Sequence, residues 1–122
     1  MRYLNGFFCV IMILFVAVQY NDPDYAVWMV IYGIPAVWAA VAALRPAVLA
    51  RGFFAAGLVL ITAAAVAGTV YYWPTVPGWW RKDVWWNEET AREGMGMMIV
   101  TVTLLVVLFT AWRARPRAAA AD

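Results

Sequence analysis

The stretch Gly52–Trp80, GFFAAGLVLITAAAVAGTVYYWPTVPGWW, runs 29 residues without an Asp, Glu, Lys or Arg. An α-helix rises about 1.5 Å per residue, so about 20 apolar residues cross a hydrocarbon layer of about 30 Å. Three more uncharged runs flank it: Tyr3–Asn21, Tyr25–Leu44 and Gly94–Trp112, of 19, 20 and 19 residues. Every charge therefore falls at a boundary. The chain reads as an all-α integral membrane four-helix bundle made of two antiparallel hairpins. Composition agrees, with 66% hydrophobic and 13% charged residues against about 45–50% and about 25% in soluble domains.

The expected layout is one membrane domain over residues 1–122, with helices at about residues 4–19, 23–44, 53–73 and 90–112. Asp22-Pro23-Asp24 suggests the start of the second helix. Proline suits the first helical position, the Asp before it is a good N-cap, and the Asp after it suits the positive end of the helix dipole. Pro35 lies inside that helix and is expected to free the carbonyl of Ile31. In the third helix, Gly52/Ala56 and Ala64/Gly68 are small residues four apart, read as close packing inside the bundle. Residues 74–89 form an interfacial tryptophan-rich loop or broken helix. Thr90-Ala91-Arg92-Glu93 matches a capping box, with Asn87 as an earlier cap. The alanine-rich tail over residues 114–122 is expected to be disordered.

The first run begins weakly basic, but Ala17-Val18-Gln19 is not a small-x-small cleavage site, so it is read as a retained helix. Counting Lys and Arg sets the orientation. Arg2, Arg45, Arg51, Arg113, Arg115 and Arg117 share one side with a single acid, Asp122. Arg81, Lys82 and Arg92 share the other with Asp22, Asp24, Asp83, Glu88, Glu89 and Glu93. The positive-inside rule then expects an inner (cytoplasmic) membrane protein with both termini cytoplasmic and an acidic outer face.

Several function classes recede. A net charge of +2 with no basic stripe away from the membrane flanks argues against nucleic acid. Histidine is absent, which removes the commonest metal ligand and general base and the usual axial ligand of haem. Cys9 is the single cysteine. The spans carry no charged residue, which argues against a pump or proton-coupled transporter. No cofactor, catalytic residue or metal ligand is assigned, and an enzyme is the less favoured class.

One polar constellation remains. Gln19, Asn21, Asp22 and Asp24 lie at the same depth as Glu88, Glu89, Arg92 and Glu93. Several carboxylates together invite a hard cation such as calcium or magnesium, or an acid–base pair. The preferred reading is structural: acids at helix starts, with Arg92 pairing Asp22 or Asp24 to staple the hairpins. Beside them, Trp79, Trp80, Trp85 and Trp86 form two Trp-Trp pairs. Tryptophan suits the headgroup zone and is also enriched at protein interfaces.

The run Gln19-Tyr20-Asn21-Asp22-Pro23-Asp24, continuing through Val27-Trp28, Tyr32 and Ile34-Pro35-Ala36-Val37, resembles the transmembrane protein 220 family. Glu88-Glu89-Thr90-Ala91-Arg92-Glu93 followed by Gly96 is similar to that family's second block. The two blocks cover roughly a third of the chain. The resemblance implies membrane helices and points at the same polar cluster, but it supplies no reaction. The expected role is an accessory or interaction subunit of a larger membrane assembly, with the lipid bilayer and other membrane proteins as partners. The alternative is a membrane enzyme or divalent-cation-binding protein using the outer carboxylates.

Overall fold

The computed structural model describes residues 1–121 of the chain, with side chains for residues 1–115. Four helices are long and apolar enough to cross a membrane. Helix α1 spans Arg2–Ala17, α2 Tyr25–Leu44, α3 Gly52–Tyr71 and α5 Glu89–Ala121, with one short helix, α4, over Lys82–Trp85. No strand occurs among the described residues. Short connections force antiparallel neighbours, and α1 and α2 make the tightest hairpin. Helix α5 is central: it packs against α2 and α3 and touches α1, while α3 rests mainly on α5. The four-helix membrane bundle read from the charge pattern is the observed architecture.

Its interior is a layered mix of small and large residues. Met12, Leu49, Leu58, Leu104 and Val107 are fully buried, and Ala36, Ala39 and Ala65 let the backbones approach. Phe7, Val10, Ile13, Val37, Phe53, Leu60 and Val70 point outward, as a lipid solvent allows. With no water in the hydrocarbon layer, polar side chains must find partners within the bundle. Thr62, Thr103 and Thr110 donate to carbonyls four residues back in their own helices. Thr69 hydroxyl meets Thr101 hydroxyl at 2.7 Å, joining α3 to α5. Asn5, fully buried, donates from Nδ2 to Thr110 Oγ1 at 2.8 Å, joining α1 to α5.

Local details differ from the sequence reading. Helix α2 starts at Tyr25 rather than Pro23, and its N-cap position, held by Asp24, has no side-chain cap bond. Asp22 is not the cap. Its Oδ1 accepts the Asp24 N–H at 2.9 Å, an Asx-type turn that precedes the helix. A 3-10 turn over Val18–Asn21 leads into it. The connection after α2 is a second 3-10 turn, Pro46–Ala50, which buries Leu49 under α5. Helix α5 begins at Glu89, so Thr90 lies inside its first turn rather than capping it. That helix also passes the expected end near Trp112 and carries the backbone of the tail, read as disordered over residues 114–122, to Ala121. Alanine has the highest helix propensity, so such a tail extends a helix that is already nucleated. The side chains of residues 116–121 and all of Asp122 lie outside what the structure describes.

The small residues of α3 divide. Gly68 faces Met97 and Gly57 faces Trp38 inside the bundle. Gly52, Ala56, Ala63, Ala64 and Ala67 are exposed. Close packing within the bundle therefore accounts for only part of the small-residue pattern. The sequence spacing was right for a helix face but did not say which face meets α5.

Candidate functional site: an acidic, tryptophan-rich end

The site lies at the end of the bundle opposite the described terminal residues. It is built where the α1–α2 turn meets the first turn of α5. Carboxylate oxygens of Asp22, Asp24 and Glu89 lie within 4.8 Å of one another. The Asx turn holds the two aspartates, and Glu89 stands in the first turn of α5. Glu93 stands one turn further along α5 and is half-buried. From Glu89 to Arg115 the apolar part of α5 has 27 residues, about 40 Å at 1.5 Å per residue. That exceeds a hydrocarbon layer, so the acidic turn can stand in the headgroup zone.

The other expected members stand further off. Gln19 turns back, its Nε2 donating to Phe15 carbonyl at 3.1 Å. Asn21 and Glu88 are exposed and make no side-chain hydrogen bond among the described residues. Arg92 does not staple the hairpins. Its Nη1 donates to Trp86 carbonyl at 2.8 Å, where the end of α4 leaves carbonyls without helical partners. The structure's one ion pair among the described residues is Arg81–Asp83 at 3.0 Å, both side chains more than 60% exposed, a kind that contributes little. The three convergent carboxylates thus have no basic partner among the described residues.

The tryptophans form a braced surface. Trp73 and Trp79, Trp79 and Trp80, and Trp85 and Trp86 meet edge to face at 5.8, 5.5 and 6.0 Å. Asn87 Nδ2 donates to Asp83 carbonyl at 2.8 Å and holds the end of α4. Trp79 and Trp85 are half-buried, while Trp80 and Trp86 remain 63% and 66% exposed.

The floor of this end is aromatic. Trp28 stacks edge-on with Tyr72 at 5.2 Å, and Tyr32 with Phe15 at 5.2 Å, so an aromatic layer spans α1, α2 and α3. The Tyr32 hydroxyl presses on Gly96, and the Tyr72–Pro74 turn presses on Gly94. The pair Gly94-Met95-Gly96 immediately after an acidic helix start was the available signal, because two glycines in a helix cost stability unless something needs their room.

Residues 11–109 match the family described as Transmembrane family 220, helix. That range holds both carboxylate groups and the whole tryptophan segment. Over 89 residues the chain is 32% identical to Transmembrane protein 220 of Xenopus laevis, covering 73% of this chain and 48% of that protein. The chain thus spans about half the length of that relative. No solved structure matches. The resemblance carried by Gln19–Asp24 and Glu88–Gly96 is borne out.

Proposed function

We propose that this chain, which belongs to transmembrane family 220, acts as a small accessory or interaction subunit of a larger membrane assembly, and that its tryptophan-rich acidic end meets the partner. The observation that carries this reading is an open indole surface braced by ring-to-ring contacts. Headgroup anchoring asks only that indoles reach the interface. Here Trp80 and Trp86 are exposed, each ring meets that of its neighbour Trp79 or Trp85 edge to face, and the Arg92 bond holds the Trp86 backbone. Exposed aromatics held in one geometry lose little entropy on docking, which favours their use as binding anchors. Replacing Trp79, Trp80, Trp85 and Trp86 with Leu should leave the protein inserted and folded while stripping the protein that co-purifies from native membranes. A wild-type chain that purifies alone in every mild detergent would sink the reading.

In this reading the protein sits in the inner (cytoplasmic) membrane with both termini in the cytoplasm and the indole surface outside. The basis is the excess of arginine at the terminal end. In a Cys9→Ala background, Thr75→Cys should react with an impermeant maleimide on intact cells. Ala47→Cys should react only after permeabilisation. The reverse pattern would invert the assignment.

A second reading is favoured by the 4.8 Å convergence of Asp22, Asp24 and Glu89. Calcium takes oxygens at about 2.3–2.6 Å, so two ligands of one ion lie at most about 5 Å apart. The trio meets that limit, and it supports a hard divalent cation bridging the α1–α2 turn to α5.

A further inference from the structure

We infer that the opposite end of the bundle holds a binding cleft for the phosphate headgroup of an anionic phospholipid. A cleft of about 300 Å³ opens there between the start of α1, the end of α2 and the turn of α5 that carries Thr110, Arg113 and Ala114. Arg2 of α1 and Arg113 of α5 both line it, together with Thr110, Ala42, Ala43 and Pro46. The small wall residues leave the room, and the two guanidinium groups supply the chemistry. Like charges brought to one cleft repel unless an anion lies between them. None of the described carboxylates can serve, because Asp22, Asp24, Asp83, Glu88, Glu89 and Glu93 all lie at the other end.

Each arginine also lies near an aromatic ring at the edge of its own helix, outside the cleft lining. The Arg113 guanidinium lies 5.9 Å from the Phe109 ring centre and that of Arg2 lies 6.0 Å from the Tyr3 ring centre. Contact with an aromatic face steadies a guanidinium but uses none of its in-plane N–H donors, which match phosphate oxygens in pairs. The cleft's frame is fixed by the Asn5–Thr110 hydrogen bond, which ties the first turns of α1 to α5. A basic pocket between membrane helices at the hydrocarbon boundary is the arrangement that recognises anionic headgroups, whereas basic residues on an open surface attract them without selecting a place.

The test is a lipid titration of the purified full chain in a neutral detergent, read by native mass spectrometry. Phosphatidylglycerol should bind about tenfold more tightly than phosphatidylcholine, with one lipid retained preferentially. Arg2→Gln and Arg113→Gln should each erase most of that preference, and Arg51→Gln, an exposed arginine outside the cleft, should leave it intact. Equal binding of the two lipids by the wild type, which needs no variant to interpret, would overturn the inference. So would an equal loss in Arg51→Gln, which would reduce the effect to general surface charge. Glycerol phosphate should compete only weakly; if it competes as well as the lipid, a free phosphate and not a headgroup is the ligand and the lipid assignment falls.

Discussion

Replacing Gly94 with alanine lowers the stability of the purified protein by about 1–3 kcal/mol, the range for overpacking a tight contact. In an unobstructed helix the same change stabilises, by up to about 1 kcal/mol, because glycine has more backbone freedom to lose. The sign is decided by what a methyl would meet. At Gly94 a Cβ would lie 2.6 Å from Tyr72 carbonyl oxygen and 2.6 Å from Pro74 Cδ. Neither a backbone oxygen nor a proline ring can rotate aside, so α5 must move off the end of α3. Gly33 is the control: nothing lies within 4 Å of its Cβ position, and Gly33→Ala should be neutral or stabilising. Gly68→Ala should be intermediate, because its obstacle is the Met97 methyl at 2.6 Å, which a flexible thioether can withdraw. Gly96→Ala meets the Tyr32 hydroxyl, and Tyr32→Phe should partly rescue it, a coupling that a double-mutant cycle isolates. Thermal unfolding of these variants in one detergent checks the set. A Gly94→Ala protein as stable as Gly33→Ala would mean that the close approach of α3 and α5 is not a feature of the fold.

That close approach marks the limit of what the chain discloses by itself. The spans were legible because each boundary carries a charge, and charge avoids hydrocarbon whatever the tertiary packing. The meeting of Asp22 and Asp24 with Glu89 was legible as a shared depth, since short hairpins leave their turns at one end. Which carboxylate does what was not. An Asp before proline suits an N-cap or an Asx turn equally, because both use the same short acceptor two or three residues ahead; the observed bond is the Asp22 Oδ1 to Asp24 N–H contact. Arg92 was placed opposite the aspartates by its position, but its side chain is long enough to fold back onto the Trp86 carbonyl. Asn5 gave no signal in a count of charges, and its partner Thr110 is 105 residues away. Likewise, spacing identified small residues on α3 without telling that Gly52 and Ala56 face outward while Gly57 and Gly68 receive neighbours, and it did not point to Gly94 and Gly96 on α5, where the approach is also tight.

Calcium in millimolar excess is expected to raise the melting temperature of the wild-type protein, and Glu89→Gln is expected to abolish that response while stabilising the protein in chelator. The two halves have opposite signs for one reason. In the absence of a cation, Glu89 faces Asp22 and Asp24 with oxygens within 4.8 Å. At that distance each like-charge pair costs about 1 kcal/mol in a water-like dielectric, and more where water is excluded. Against this, Glu89 in the first turn of α5 gains about 0.3–1 kcal/mol from the helix dipole. Two repulsions exceed one dipole interaction, so neutralising Glu89 should stabilise the metal-free state by about 1 kcal/mol, less at high salt. A bound divalent ion reverses the balance: repelling oxygens become shared ligands, and at a concentration 100 times Kd the folded state gains about 2.7 kcal/mol. Asp24→Asn should behave like Glu89→Gln, since both remove one charge and keep an oxygen. Asp83→Asn, paired instead with Arg81, should leave the calcium response unchanged. If the acids serve only as helix-start residues, calcium shifts nothing, and Glu89→Gln changes stability by the same amount in calcium as in chelator. A wild-type melting temperature that is the same in calcium and in chelator would remove the cation reading and leave the proposal at this end resting on the indole surface alone.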